Sequence, residues 1–163
     1  MSDETSALLR SLDNQRRHAL RIVEGLADDD LRRPVLPTGW TCLSLVQHLA
    51  LDIEEFWFWN VAAGQTTPPG SRVADAWQVA ADVPVGEVLD RYRQETERAT
   101  GIIKATPLDA PPRWWPEGVF GTWRLEDLRQ IVLHVITETA CHAGHLDAAR
   151  ELIDGRTWSV VSK

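Results

Sequence analysis

Residues 133–147 read Leu-His-Val-Ile-Thr-Glu-Thr-Ala-Cys-His-Ala-Gly-His-Leu-Asp. Around and within this stretch, Leu128, Ile131, Val132, Val135, Leu146, Ala149 and Ile153 recur at the three-and-four spacing of an amphipathic helix. At about 100° per residue, Glu138 and His142 lie about 40° apart on that helix, close to the centre of its apolar face. Both side chains therefore point inward. A carboxylate on an inward face is costly unless it is paired or bound to a cation. A glutamate and an imidazole one turn apart can clamp one metal ion. The stretch thus predicts a long helix packed into a core, with a metal site on it.

Working outward, Thr122 is read as the cap of this helix, with Glu126 and Asp127 in its first turns, where the helix dipole favours negative charge. Gly155 stops it. The same spacing over residues 3–26 predicts a first helix, carried by Ala7, Leu8, Leu12, Ala19, Ile22, Val23 and Leu26. Asp28 can cap a short turn that ends before Pro34. Residues 34–40, with Pro34, Pro37 and Gly39, form a loop. Thr41 then caps a second helix over residues 42–63, ended by Gly64. Residues 65–72 are loop. A third helix spans residues 82–106, with Pro84 in its first turn, where a missing N–H costs nothing. Residues 108–121, which hold Pro111-Pro112-Arg113-Trp114-Trp115-Pro116, cannot be regular helix. Residues 157–161 read as a short extended tail. There is no internal repeat and no useful strand alternation. Four long amphipathic helices predict one all-α domain over residues 1–163, a four-helix bundle whose second or third long loop holds a crossover.

In such a bundle, ligands on facing helices converge in the core. His48, in Leu45-Val46-Gln47-His48-Leu49-Ala50, is the natural third ligand, because Leu45, Leu49 and Phe56 share its face. A His48–Glu138–His142 set leaves one position open, the pattern of catalytic rather than structural zinc. The alternative is a hydrogen-bonded core histidine beside a solvated glutamate–histidine pair. Asp52, one turn after His48, faces the open metal position or stands as a surface acid beside Glu54 and Glu55. His145 falls on the edge of the same arc and can orient a ligand or replace one. His134 reads as a half-buried, hydrogen-bonded residue and His18 as a solvated one. Of Trp57-Phe58-Trp59, Trp59 lies nearest the His48 side. Trp57 and Phe58 are left to pack on the first helix or on a second subunit, which would make a homodimer.

Composition narrows the function. A net charge of -7 argues against a general nucleic-acid binder and against docking on anionic lipid. No apolar run approaches the roughly 20 residues of a membrane span. Residues 1–10 do not resemble a signal peptide. Cys42 and Cys141 lie far apart and suggest no disulfide framework, so a reducing cytoplasm is the expected compartment. Eight tryptophans are many for 163 residues, so several pack a core or some line a pocket for a flat or apolar ligand.

Two motifs carry a resemblance. Gly39-Trp40-Thr41-Cys42-Leu43-Ser44-Leu45-Val46-Gln47-His48-Leu49-Ala50 resembles the segment that introduces the first metal histidine of the DinB-like superfamily. Glu138-Thr139-Ala140-Cys141-His142-Ala143-Gly144-His145-Leu146-Asp147 resembles its final-helix motif. The glutamate variant is similar to the metal-binding domain of mycothiol-dependent maleylpyruvate isomerase and to small actinobacterial DinB-like proteins. The resemblance implies an up-up-down-down four-helix bundle of DinB/YfiT type with zinc or nickel on His48, Glu138 and His142. The chain ends soon after the fourth helix, so the isomerase's additional C-terminal domain is not expected here.

The resemblance also implies a metal-dependent S-transferase that joins a low-molecular-weight thiol such as mycothiol to a small electrophile. Arg72, Arg113 and Arg124 are candidates for holding the thiol's polar groups. The alternatives are a non-enzymatic, stress-related metal-binding bundle and a metal-dependent hydrolase with Asp52 or His145 as base.

Overall fold

The computed structural model describes residues 2–65 and 76–158. Every regular element among them is helical, with no strand. The elements are α1 (Asp3–Val23), α2 (Asp28–Leu31), α3 (Cys42–His48), α4 (Val85–Ala105) and α5 (Leu128–Asp154). Helix α3 continues without a break into a π-helical segment, Leu49–Ala62. Its wider winding shows at the end, where the Ala63 N–H donates to the Phe58 carbonyl five residues back at 3.0 Å.

The caps follow local chemistry. Ser2 accepts from the Thr5 N–H. Thr41 and Ser44 cap each other's backbone reciprocally at the start of α3. Helix α5 starts later than expected. Its cap is Asp127, which accepts from the Gln130 N–H at 2.8 Å, and not Thr122. Residues 123–126 are non-helical because they have other work: Leu125 is buried and the Trp123 ring packs on Phe120 and His134. Gly155, at φ +76°, closes α5 in the left-handed conformation as expected. Gly64 allows a close approach as well as a positive φ. A Cβ there would stand 2.8 Å from the Cβ of Arg113.

Helix directions follow from which ends touch. Arg129 at the start of α5 pairs with Glu4 at the start of α1, and Arg150 near its end bonds the Ile22 and Glu24 carbonyls. These two helices are parallel. Glu55 pairs with Arg91, and further along the Arg98 guanidinium lies over the Trp59 ring, so the α3–π helix and α4 are also parallel. His48 meets His142 while Trp57 meets His134, which makes α5 antiparallel to the α3–π helix. The all-α four-helix bundle is as expected, but its directions run up-down-down-up, not up-up-down-down. With the middle pair parallel, the end of the π segment and the start of α4 lie at opposite ends of the bundle, so the crossover falls between these two elements.

Leu12, Leu43, Leu45, Phe58, Tyr92, Ile131, Val135 and Leu146 fill the core. One charged pair crosses it. Arg16 donates to both Glu54 oxygens, at 2.7 and 2.6 Å, and to Asp13 and Thr100, both at 2.9 Å. Arg16 is 4% exposed and Glu54 1%, so Glu54 is not a surface acid, and neither is Glu55 at 3%. The bidentate fork ties α1, the π segment and α4 together. No helix among the described residues is long and apolar enough to cross a membrane. The expected loop over residues 65–72 and tail over 157–161 lie mostly outside the described residues.

Candidate functional site

Helix α5 presents Glu138 and His142 one turn apart, with His142 Nε2 3.7 Å from Glu138 Oε2. The antiparallel α3–π helix brings His48 against them, its ring centroid 5.0 Å from that of His142. The three side chains picked out by spacing are therefore neighbours in space. Among the described residues, no three His, Cys, Asp or Glu side chains stand close enough to hold one ion without moving. Glu138 is the adjustable member. Its side chain is 37% exposed and accepts no hydrogen bond from the described residues.

Burial, and then the His48 and His145 imidazoles nearby, push His142 down to about 4. It is thus the neutral imidazole that a metal requires. Its Nδ1 is buried without a hydrogen-bond partner. A buried ring nitrogen left orphaned is costly. With a neutral imidazole, a second histidine and a half-exposed carboxylate, the donor set fits a divalent metal.

Asp52 stands behind this group. Its Oδ2 lies 3.0 Å from His48 Nδ1, so the carboxylate fixes the ring's orientation and leaves Nε2 as the nitrogen for a metal. On the other side, the Trp77 ring stacks on His48 at 4.0 Å. Nothing in the pattern around Trp77 marks it, because it sits at the far end of the crossover. His145 is exposed, 5.6 Å from His142 by ring centroids and 6.2 Å from Trp40, which puts it at the rim.

His48, Asp52, Ile53, Phe56 and Trp57 line one cleft of about 660 Å³. Their spacing of four, five, eight and nine residues is the signature of the π winding, which takes roughly one more residue into each turn than an α-helix. For that reason Trp57, and not Trp59, comes round to the His48 side. Trp59 instead faces α4, 4.5 Å beneath the Arg98 guanidinium. The opposite wall is Trp114, Pro116, Val119, Phe120 and Trp123 from the 106–127 connection, with His134 and Glu138 from α5. His134 is held between Trp57 at 4.6 Å and Trp123 at 5.3 Å, and burial lowers its pKa. It makes ring contacts rather than the expected hydrogen bond.

The chain matches the family model described as Mycothiol-S-transferase over residues 7–155. The chain belongs to the mycothiol S-transferase family. This family lies within the DinB-like superfamily, and the matched span runs from α1 to the stop of α5, so it contains the whole cleft. No curated protein and no solved structure matches the chain.

The remaining polar candidates sort by place. His18 is not solvated. Its Nε2 lies 2.8 Å from Asp147 Oδ2 and its ring stacks on Trp158 at 5.0 Å. Cys42 is buried, and desolvation pushes its thiol up to about 11, which makes it inert at neutral pH. Cys141 is exposed and free. Arg124 pairs with Glu117 at 3.3 Å and lies over the Trp115 ring at 5.4 Å. The Arg113 backbone is fixed by its N–H to the Val61 carbonyl, and Arg72 lies outside the described residues.

Proposed function

We propose that this protein is a metal-dependent thiol S-transferase that joins mycothiol, or a closely related low-molecular-weight thiol, to a small electrophile. The observation that carries the reading is the meeting of His48, Glu138 and His142 beside a cleft that His48 and Glu138 line, in a chain of the mycothiol S-transferase family.

His48, Glu138 and His142 would hold the metal, zinc or nickel by their chemistry. When bound with one position open, such an ion favours the thiolate of an incoming thiol, the reactive form. The chain's own contribution is positional. Asp52 holds the His48 ring through Nδ1, and Trp77 holds its face. The apolar wall of Ile53, Phe56 and Trp57 flanks the end of the cleft where the thiol sulfur meets the electrophile. The sulfur bonds the electrophilic carbon, the leaving group departs with its electron pair and the thiol proton passes to solvent. Neither cysteine is needed as a nucleophile. His145, at the exposed rim, is a candidate to orient the polar part of the thiol or take its proton.

The test is consumption of mycothiol with a broad set of electrophiles by the zinc- or nickel-loaded protein. The reading predicts metal-dependent conjugation that His48→Ala abolishes. A fully loaded protein that conjugates no low-molecular-weight thiol to any of them overturns it. Chelation that lowers the melting temperature of such an inactive protein would instead favour a metal-stapled binding bundle.

A further inference from the structure

The aromatic half of the cleft holds none of the three proposed metal ligands. Its floor is Trp57, 4% exposed, stacked on Phe120 at 5.7 Å with the planes 19° apart. Trp123 stands at its edge, 5.4 Å from Phe120, and Trp114 lies across from it, 6.3 Å from Phe56. Trp114 and Trp123 are 44% and 43% exposed. Large rings left open to water beside a concave site are the mark of a surface that a ligand covers. The cleft, at about 660 Å³, falls inside the roughly 300–1,000 Å³ range of small-molecule sites.

We infer that this aromatic half, formed by Trp57, Trp114, Phe120 and Trp123, is the electrophile subsite and takes an uncharged, planar aromatic ring. The inference rests on the transferase reading and names its substrate class. Planarity follows from walls that present ring faces and edges, which attract another ring by offset stacking or edge-to-face contact more than a branched aliphatic. Lack of charge follows from the surroundings. No lysine or arginine is among the described lining residues to pair an anion, and the divalent metal of the transferase reading, which the Glu138 carboxylate only half offsets, disfavours a cation beside it. A ring seated on Trp57 shares the cleft with Asp52 and His48, where the thiol would arrive. For a ring carrying a halide, the thiol sulfur bonds the halide-bearing carbon, the halide leaves with the electron pair and the thiol proton goes to solvent.

Binding and transfer can be tested apart. The unreactive probe 1,3-dinitrobenzene, titrated into the full chain by calorimetry, binds saturably to the wild type and to the His48→Ala variant alike. Trp114→Ala and Trp123→Ala, at half-exposed positions, each weaken it roughly fivefold to tenfold in variants whose helical content by circular dichroism matches the wild type. With mycothiol, Trp123→Ala lowers the kcat/KM for 1-chloro-2,4-dinitrobenzene relative to that for iodoacetamide by a similar factor. Absence of saturable binding, or a ratio left unchanged by both tryptophan variants, overturns the subsite. Probe binding that the tryptophan variants weaken, in a protein that conjugates neither electrophile, upholds the aromatic subsite and counts against the transferase reading alone.

Discussion

The two helices that face each other across the cleft differ in how they are wound. Helix α5 is regular for 27 residues, and its Glu138 and His142 sit where a 100° step puts them. The α3–π helix changes pitch at His48, the residue that opens the site. Before the change, the same step places Leu45 in the core and His48 toward α5. Beyond it the step fails. Trp57 replaces Trp59 on the site wall, and Glu54, expected at the surface, becomes one of the most buried side chains of the chain. A helical face is readable only while the winding stays constant, and winding often changes at functional sites.

The sharpest way to break this comparison is to remove the charge that the π winding turns inward. Arg16→Ala or Glu54→Ala leaves a single ion buried and is expected to cost about 3–5 kcal/mol in urea unfolding. With regular α winding and Glu54 at the surface, the loss would stay within about 0.5 kcal/mol. The adjacent tryptophans sharpen the same point. Trp57→Ala empties a core position and is expected to lose about 3–5 kcal/mol. Trp59→Ala gives up partial burial and a cation–π contact worth about 0.5–1 kcal/mol, so its loss should be clearly the smaller of the two.

A further substitution separates support from ligation. Asp52→Ala frees the His48 ring and is expected to weaken metal binding about 10- to 100-fold, measured by competition with a chelator. Its metal-free form should unfold at nearly the wild-type urea concentration, because Asp52 is half-buried at the cleft. The smallest effect belongs to the start of α5. Asp127→Ala should cost about 1 kcal/mol, whereas Thr122→Ala should change stability by less than about 0.5 kcal/mol.

Much of the bundle was legible because four amphipathic stretches and their stops are local features. The starts and stops at Thr41, Gly64 and Gly155 are written in single residues. The Asp127 start was not, because Thr122 offers an equally good cap and only the packing of Trp123 and Leu125 decides between them. Directions of the helices were not legible either. They depend on which ends meet through pairs such as Glu4–Arg129 and Glu55–Arg91, more than 30 residues apart. At the site, His48, Glu138 and His142 stand out as polar residues on apolar faces, a signal that survives without coordinates. Trp114, Phe120 and Trp123 come from an irregular connection with no period to read. Only the number of tryptophans pointed to a pocket of that kind. His18 was misread because its partners, Asp147 and Trp158, lie at the other end of the chain.

Metal content measured on the purified, zinc-loaded protein and on its His48→Ala, Glu138→Ala and His142→Ala variants bears most directly on the central claim. About one ion per chain in the wild type, and loss of tight binding in each variant with the helical fold intact, is the expected result. A folded wild type that holds no zinc or nickel when both are supplied, or variants that keep a full complement, would contradict it.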